Sequence, residues 1–181
     1  MGAQATATDE ELMRRLAGGE RDCLHELVRR HLPRILGYAQ QYIMDWAAAE
    51  DIAQQVFLEV FRGAARFDAT ANFLTWLFTI THRRIIDQLR RVGAAPEQSL
   101  GPEMDNLAEP TVPVPQESVM VEALLKVLPR LAAPDRQALF LKYYQGLCSQ
   151  EIAAILGGNA AQIDLRISRA RKKLRQLLIH R

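Results

Sequence analysis

"NFLTWLFTITHRRIIDQLRR" occupies Asn72–Arg91, and its reading decides the fold. At about 100° per residue it winds as one helix. Leu74, Leu77, Phe78, Ile85 and Leu89 fall on one side and read as core. The other side carries Phe73, Trp76 and Ile80 together with Arg83, Arg84, Arg90 and Arg91. The arginines form a stripe that also contains Asp87, which can pair with its neighbours one turn away. Such a charge run is ordinarily a solvated face. Leaving Phe73 and Trp76 in water is unfavourable by ~1.5–3 kcal/mol each relative to burial. Arginines beside aromatic rings suit unstacked bases and phosphates. Packing under another helix suits Trp76 equally. The preceding "RFDATANF" (Arg66–Phe73) is short and polar, as expected of a loop that holds an extruded base.

Upstream, "EDIAQQVFLEVFRGAARF" (Glu50–Phe67) has a core arc of Ile52, Ala53, Val56, Phe57, Val60 and Ala64. Asp51, Gln54, Leu58 and Phe61 form a second stripe outside it. Two readings stand open. Either the helix packs on two sides, or the stripe docks a protein, with an apolar anchor flanked by polar groups that fix register. Further helices are expected at Asp9–Ala17 and Glu20–Tyr42, with Pro33 kinking or interrupting the latter, at Trp46–Arg66, and at Asn72–Arg91 itself.

Downstream the periodicity lapses. Between Val92 and Glu117 lie Pro96, Pro102, Pro110, Pro113 and Pro115, with acidic residues and no Lys or Arg. This reads as an extended acidic linker between an N-terminal domain (10–91) and a C-terminal one (118–181). Helical patterns resume at Ser118–Leu128, Pro134–Gln145, Ser149–Leu156 and Ala160–Leu178. Ser149 and Asn159 suit N-caps, and Pro134 suits a first turn. The fold class is therefore all-α, two small helical domains joined by a linker.

"SQEIAAILGGNAAQIDLRISRARKKLRQLL" (Ser149–Leu178) pairs a short helix, a Gly-containing turn and a longer basic helix, a helix-turn-helix signal. Ile163, Ile167, Ala170, Leu174 and Leu177 make the inner stripe; Leu165, Arg169 and Lys172 face outward, with Gln162 and Arg166 at the edge. Gln162 suits adenine, Leu165 a thymine methyl and the basic residues phosphates. A basic helix in a purely structural bundle is the other reading.

Composition limits the remaining choices. With 49% hydrophobic residues in 181, the chain has material for globular cores. Its apolar runs are far short of a membrane span. "MGAQATATDEELMRRL" has no apolar segment of the secretory kind, so a cytoplasmic protein without membrane insertion is expected. Cys23 and Cys148 are far apart, and His25, His31, His82 and His180 lack metal-ligand spacing. No phosphate loop or nucleophile motif occurs. No metal, cofactor, small-molecule substrate or enzymatic activity is expected. The net charge of +2 conceals an acidic middle and a basic end from Arg166 to Arg181, the local asymmetry a nucleic acid senses.

Together these segments resemble bacterial RNA polymerase sigma factors of the extracytoplasmic-function (ECF) class, which carry regions 2 and 4 joined by a linker. "AEDIAQQVFLEVF" (Ala49–Phe61) followed by "TWLFTI" (Thr75–Ile80) is similar to region 2. "LPRLAAPDRQALFLKYYQGLCSQEIAAILGG" (Leu128–Gly158) with "RISRARKKLR" (Arg166–Arg175) is similar to region 4. The resemblance implies that Asp51, Gln54, Leu58 and Phe61 dock on the clamp of core RNA polymerase, and that region 4 lies at its flap. It implies that Phe67, Asp68, Asn72, Phe73 and Trp76, backed by Arg83, Arg84, Arg90 and Arg91, take single-stranded −10 DNA. It implies that Gln162, Leu165, Arg166, Arg169, Lys172 and Lys173 read duplex −35 DNA. An anti-sigma factor is an implied further partner.

Two departures from the family bear on promoter choice. Thr81-His82-Arg83 stands where Ala-Arg-Asn is frequent, and Gln162-Ile163-Asp164-Leu165 where Thr-Val-Lys/Arg-Ser is common. A stand-alone helix-turn-helix regulator leaves the Asp51–Phe61 stripe unused. A sigma-like decoy for an anti-sigma factor draws on Asp164 and Leu165.

Overall fold

The computed structural model describes residues 7–93 and 127–179. Most of the expected linker and nearly all of the expected helix Ser118–Leu128 lie outside those residues. Every regular element among the described residues is helical.

Helix α1 (Asp9–Ala17) begins where the Thr8 hydroxyl accepts the Glu11 N–H (3.2 Å), and its first turn holds Asp9, Glu10 and Glu11 against the helix dipole. Helix α2 (Asp22–Ala39) runs on through Pro33, which therefore does not interrupt it. The helix ends at Ala39 with Gln40 as its C-cap, short of the expected Tyr42. Helix α3 (Trp46–Gly63) is capped by Asp45, whose carboxylate accepts the Ala47 N–H. It tightens into a 3₁₀ turn at Ala64–Arg66, so the expected helix Trp46–Arg66 changes pitch at its end. Helix α4 (Phe73–Arg91) is capped by Asn72, which accepts the Thr75 N–H at 3.0 Å.

In the C-terminal half, α5 (Ala133–Leu139) opens into a π-helical turn at Phe140–Tyr144. Helix α6 (Ser149–Leu156) is capped by Cys148 and not by Ser149. Glu151 completes that cap by accepting the Cys148 N–H at 2.7 Å. Gly157 and Gly158 make the turn into α7 (Ala160–Ile179) with φ of +83° and +95°, a region in which a Cβ is strained. Asn159 caps α7, its side chain accepting the Gln162 N–H while Gln162 accepts the Asn159 N–H.

Helix α4 lies at the centre. It packs against α3 and α2 on one side and α6 on another. Phe73, Leu77, Phe78, Ile80, Ile85 and Leu89 are buried, and Leu74 is half-buried. Spacing puts Phe73 and Ile80 on the same side as the arginines, outside the expected core stripe, yet both are buried. A helix enclosed on more than one side buries more than a single arc.

One buried core runs through both halves. Polar contacts also cross the seam. Arg136 donates to the Gln41 carbonyl (2.9 Å), Thr75 donates to Glu151 (3.1 Å), and the Phe140 ring lies 5.7 Å from that of Tyr38.

Thr81 and His82, where the sequence departs from the pattern it resembles, both point inward. The Thr81 hydroxyl donates to the Leu77 carbonyl. His82 Nδ1 lies 3.1 Å from the hydroxyls of both Tyr38 and Tyr42. Burial pushes the His82 imidazole down to about 4 from an ordinary 6.5. The unfolded chain therefore takes up this proton at higher pH than the folded chain, and stability falls as pH drops below about 6.5 and levels off near 4. His82→Gln is expected to flatten the plot of urea midpoint against pH over that window. Parallel plots for the two proteins would contradict this.

Candidate docking and nucleic-acid surfaces

Asp51, Gln54, Leu58 and Phe61 are all exposed on α3, with Leu58 at 52% and Phe61 at 42%. Among the described residues nothing covers the stripe, so α3 packs on one side there. Leu58 and Phe61 continue into an apolar groove between α2 and α3, floored by Leu24, Val28, Leu32 and Phe57, with Gln54 also on its wall. The core arc behind them, Ile52, Ala53, Val56, Phe57 and Val60, is buried as the periodicity requires.

The second surface is the loop before α4. Asp68 turns it by accepting both the N–H (2.9 Å) and the hydroxyl (2.7 Å) of Thr70, and these bonds hold its carboxyl below the usual range. Asp68 and Asn72 are exposed, Phe67 and Trp76 half-buried. Phe73 is wholly buried, its ring 5.3 Å from His31 and 6.0 Å from Phe67. Its ring offers no free face to a base in this arrangement. Trp76 packs over Gly63, where an added Cβ would come within 3.0 Å of the indole, and beside Phe67 at 5.0 Å. The glycine is the reason an indole fits there. The notion that Trp76 packs under a neighbouring helix is thus partly realised, with one part of the ring still accessible.

The arginines behind this loop are not equivalent. Arg83 Nη2 lies 2.5 Å and Arg84 Nη2 2.9 Å from the same Glu59 carboxylate on α3. Burial alone would raise the Glu59 carboxyl; hydrogen bonds from Arg84 and Arg83 outweigh it and hold it below the usual carboxylate range. Among the described residues Arg90 makes only a long contact to Asp87, 3.9 Å, and Arg91 is exposed. A partner 24 or 25 residues away has no signature in local periodicity, so sequence reasoning missed Glu59.

The third surface is α7. Ile163, Ile167 and Ala170 are buried against α5 and α6, while Gln162, Leu165, Arg169, Lys172 and Lys173 are exposed and Arg166 is half-buried. Gln162 is held in the cap at the start of the helix, with its Oε1 on the Asn159 N–H (3.1 Å). Asp164 accepts a hydrogen bond from Ser149 of α6. Its carboxylate therefore ties the two helices of the motif together.

Residues 27–94 match the family model described as Sigma-70 region 2, and residues 121–174 match Sigma-70, region 4. The chain belongs to the ECF sigma factors. It is 31% identical over 168 residues to the RNA polymerase sigma factor CarQ of Myxococcus xanthus, covering 92% of this chain and 95% of that one. It is 30% identical over 180 residues to the ECF sigma factor SigK of Mycobacterium tuberculosis (strain H37Rv), covering 93% and 92%. Among solved structures it resembles the sigma factor RpoE of Bartonella quintana, seen in complex with the anti-sigma factor NepR. That match has TM-score 0.68 and 28% identity, over 87% of this chain and 97% of that one. CnrH, seen with the cytosolic domain of CnrY, shares the fold, with TM-score 0.67 and 24% identity over 95% and 97% of the two chains. No helix among the described residues is long and apolar enough to cross a membrane.

Glu59→Gln removes the charge that engages Arg83 and Arg84. Single-stranded DNA is expected to bind this variant more tightly and with a steeper salt dependence. The slope against log salt should grow by about 1.4 if both freed guanidinia meet phosphates. An unchanged slope in a fluorescence titration would place both arginines off the DNA path.

Proposed function

We propose that this sigma factor binds core RNA polymerase through the Asp51, Gln54, Leu58 and Phe61 stripe and directs initiation at promoters with its own −10 and −35 elements. Residues 10–91 serve polymerase docking and the −10 element, 118–181 serve the −35 element, and 92–117 join them. The observation that carries the reading is the exposure of Leu58 and Phe61 beside an apolar groove, in a chain that also presents the outward basic face of a helix-turn-helix. Large apolar side chains exposed at the lip of a groove suit a protein partner.

In this reading the non-template strand of the −10 element meets the Phe67–Asn72 loop. Trp76 offers the accessible part of its ring to a base, and Arg90 and Arg91 take phosphates. Phe73 acts from behind, by packing. On α7, Arg169, Lys172 and Lys173 hold phosphates of the −35 duplex while Leu165 approaches the major groove. Gln162 reads a base only if its amide leaves the cap. The bond from Ser149 gives Asp164 a role inside the motif, so its charge does not argue for the decoy. By likeness to the solved complexes, an anti-sigma factor is a proposed partner.

Phe61→Ala is expected to weaken association with core polymerase by about 30-fold, as loss of an interfacial aromatic anchor does, with an unchanged melting temperature. A melting temperature several degrees lower would instead make Phe61 part of the fold. Arg169→Ala is expected to reduce the salt slope of duplex −35 binding by about 0.9, one phosphate's worth. An unaltered slope would remove Arg169 from the DNA surface.

A further inference from the structure

The first N–H of α4 is held by a residue 63 positions earlier. Glu10 Oε1, on α1, accepts the Phe73 N–H at 3.0 Å. Phe73 is the first residue after the candidate base-capture loop, so this bond fixes where the loop ends. The neighbouring Asp9 anchors α1 to α2: its carboxylate accepts from Arg30 Nη1 at 2.9 Å and meets His31 Nε2 at 2.8 Å. Burial would raise the Asp9 carboxyl; the bonds from His31 and Arg30 outweigh it and keep it below its ordinary value. Arg30 also donates to the Ala7 carbonyl at 2.8 Å, so the start of α1 is tied twice. The same His31 lies against the ring of Phe73. At the entrance to the loop, α1 packs on the 3₁₀ turn Ala64–Arg66. One short helix thus touches the chain on both sides of a six-residue loop, 67–72.

We infer that α1 is the brace that sets the shape of the −10 capture loop, and that Glu10 is a positioning residue for base discrimination. The inference rests on the promoter-recognition reading above. A carboxylate here does two separable things. Its oxygen fixes the Phe73 N–H, and its charge lowers the positive potential at the start of α4. Glu10→Gln keeps an acceptor of the same reach and loses the charge. Glu10→Asp keeps the charge and loses the reach by one methylene. Glu10→Ala loses both.

The test is run-off transcription with core polymerase and intact sigma chain on one cognate promoter and on versions with single-base changes at the −10 element. Wild type should prefer the cognate promoter by about tenfold or more, the discrimination expected of one well-read base. Glu10→Ala and Glu10→Asp are expected to reduce that preference to about twofold, whereas Glu10→Gln retains it. Should the Ala variant fail to fold, the Asp and Gln pair decides alone. Equal losses on all promoters, or a preference retained in Glu10→Asp, would overturn the positioning role and leave the sigma reading intact. A wild-type protein silent on every promoter would overturn the sigma reading itself, and the inference with it.

Discussion

The ring of Phe73 has no solvent exposure; His31, Phe67 and Trp76 surround it, and its backbone N–H rests on Glu10. Three helices meet at that residue. Through His31 it is joined to α2, through Trp76 and Gly63 to α3, and through Glu10 to α1. Because α4 starts there, the direction of the whole central helix is set by the same contacts. The side chains that α4 carries further along, Leu77, Phe78, Ile85 and Leu89, then fill the core in register. The exposed loop before it can be short and polar because packed aromatic residues, half-buried Phe67 and buried Phe73, hold its ends.

The charges are arranged to be selective about where positive potential survives. Net charge is only +2, and two arginines of α4 are already engaged by one glutamate of α3. Among the described residues, Arg91 at the end of α4 and Arg169, Lys172 and Lys173 on the outer face of α7 are exposed and make no ion pair. Polar groups elsewhere join the parts. Glu151 accepts the Cys148 N–H and the Thr75 hydroxyl, so the residue that caps α6 also meets α4. Leu58 and Phe61 on α3 lie apart from these contacts and are exposed among the described residues.

Much of this was legible in the residues because helical periodicity is a local signal. The core arc of α3 follows from spacing alone, as does the inner face of α7 at Ile163, Ile167 and Ala170; spacing marks the second stripe of α3 but leaves its exposure open. Spacing fails where a helix is enclosed from several directions. Phe73 and Ile80 share an arc with arginines, yet they are buried, because α4 has neighbours on more than one side. Nor does spacing reveal partners distant in the chain: Glu10 with Phe73, Glu59 with Arg83 and Arg84, Arg136 with the Gln41 carbonyl. The departures from the family pattern belong to the same class. His82 answers to two tyrosines on and just beyond α2, and Asp164 to a serine on α6, so both read as unexplained until the tertiary contacts are known. The turn from α3 into the loop depends on Gly63, whose missing Cβ admits an indole thirteen residues on.

The central claim is that this chain gives bacterial core polymerase its promoter choice. It is tested most directly by run-off transcription with purified core enzyme on a genomic promoter library, with and without the protein, alongside co-elution of the two. Transcripts that appear only with the protein, from promoters sharing paired upstream elements, are the predicted result. The absence of both transcripts and co-elution would contradict the account and favour a sigma-like chain that never meets the polymerase.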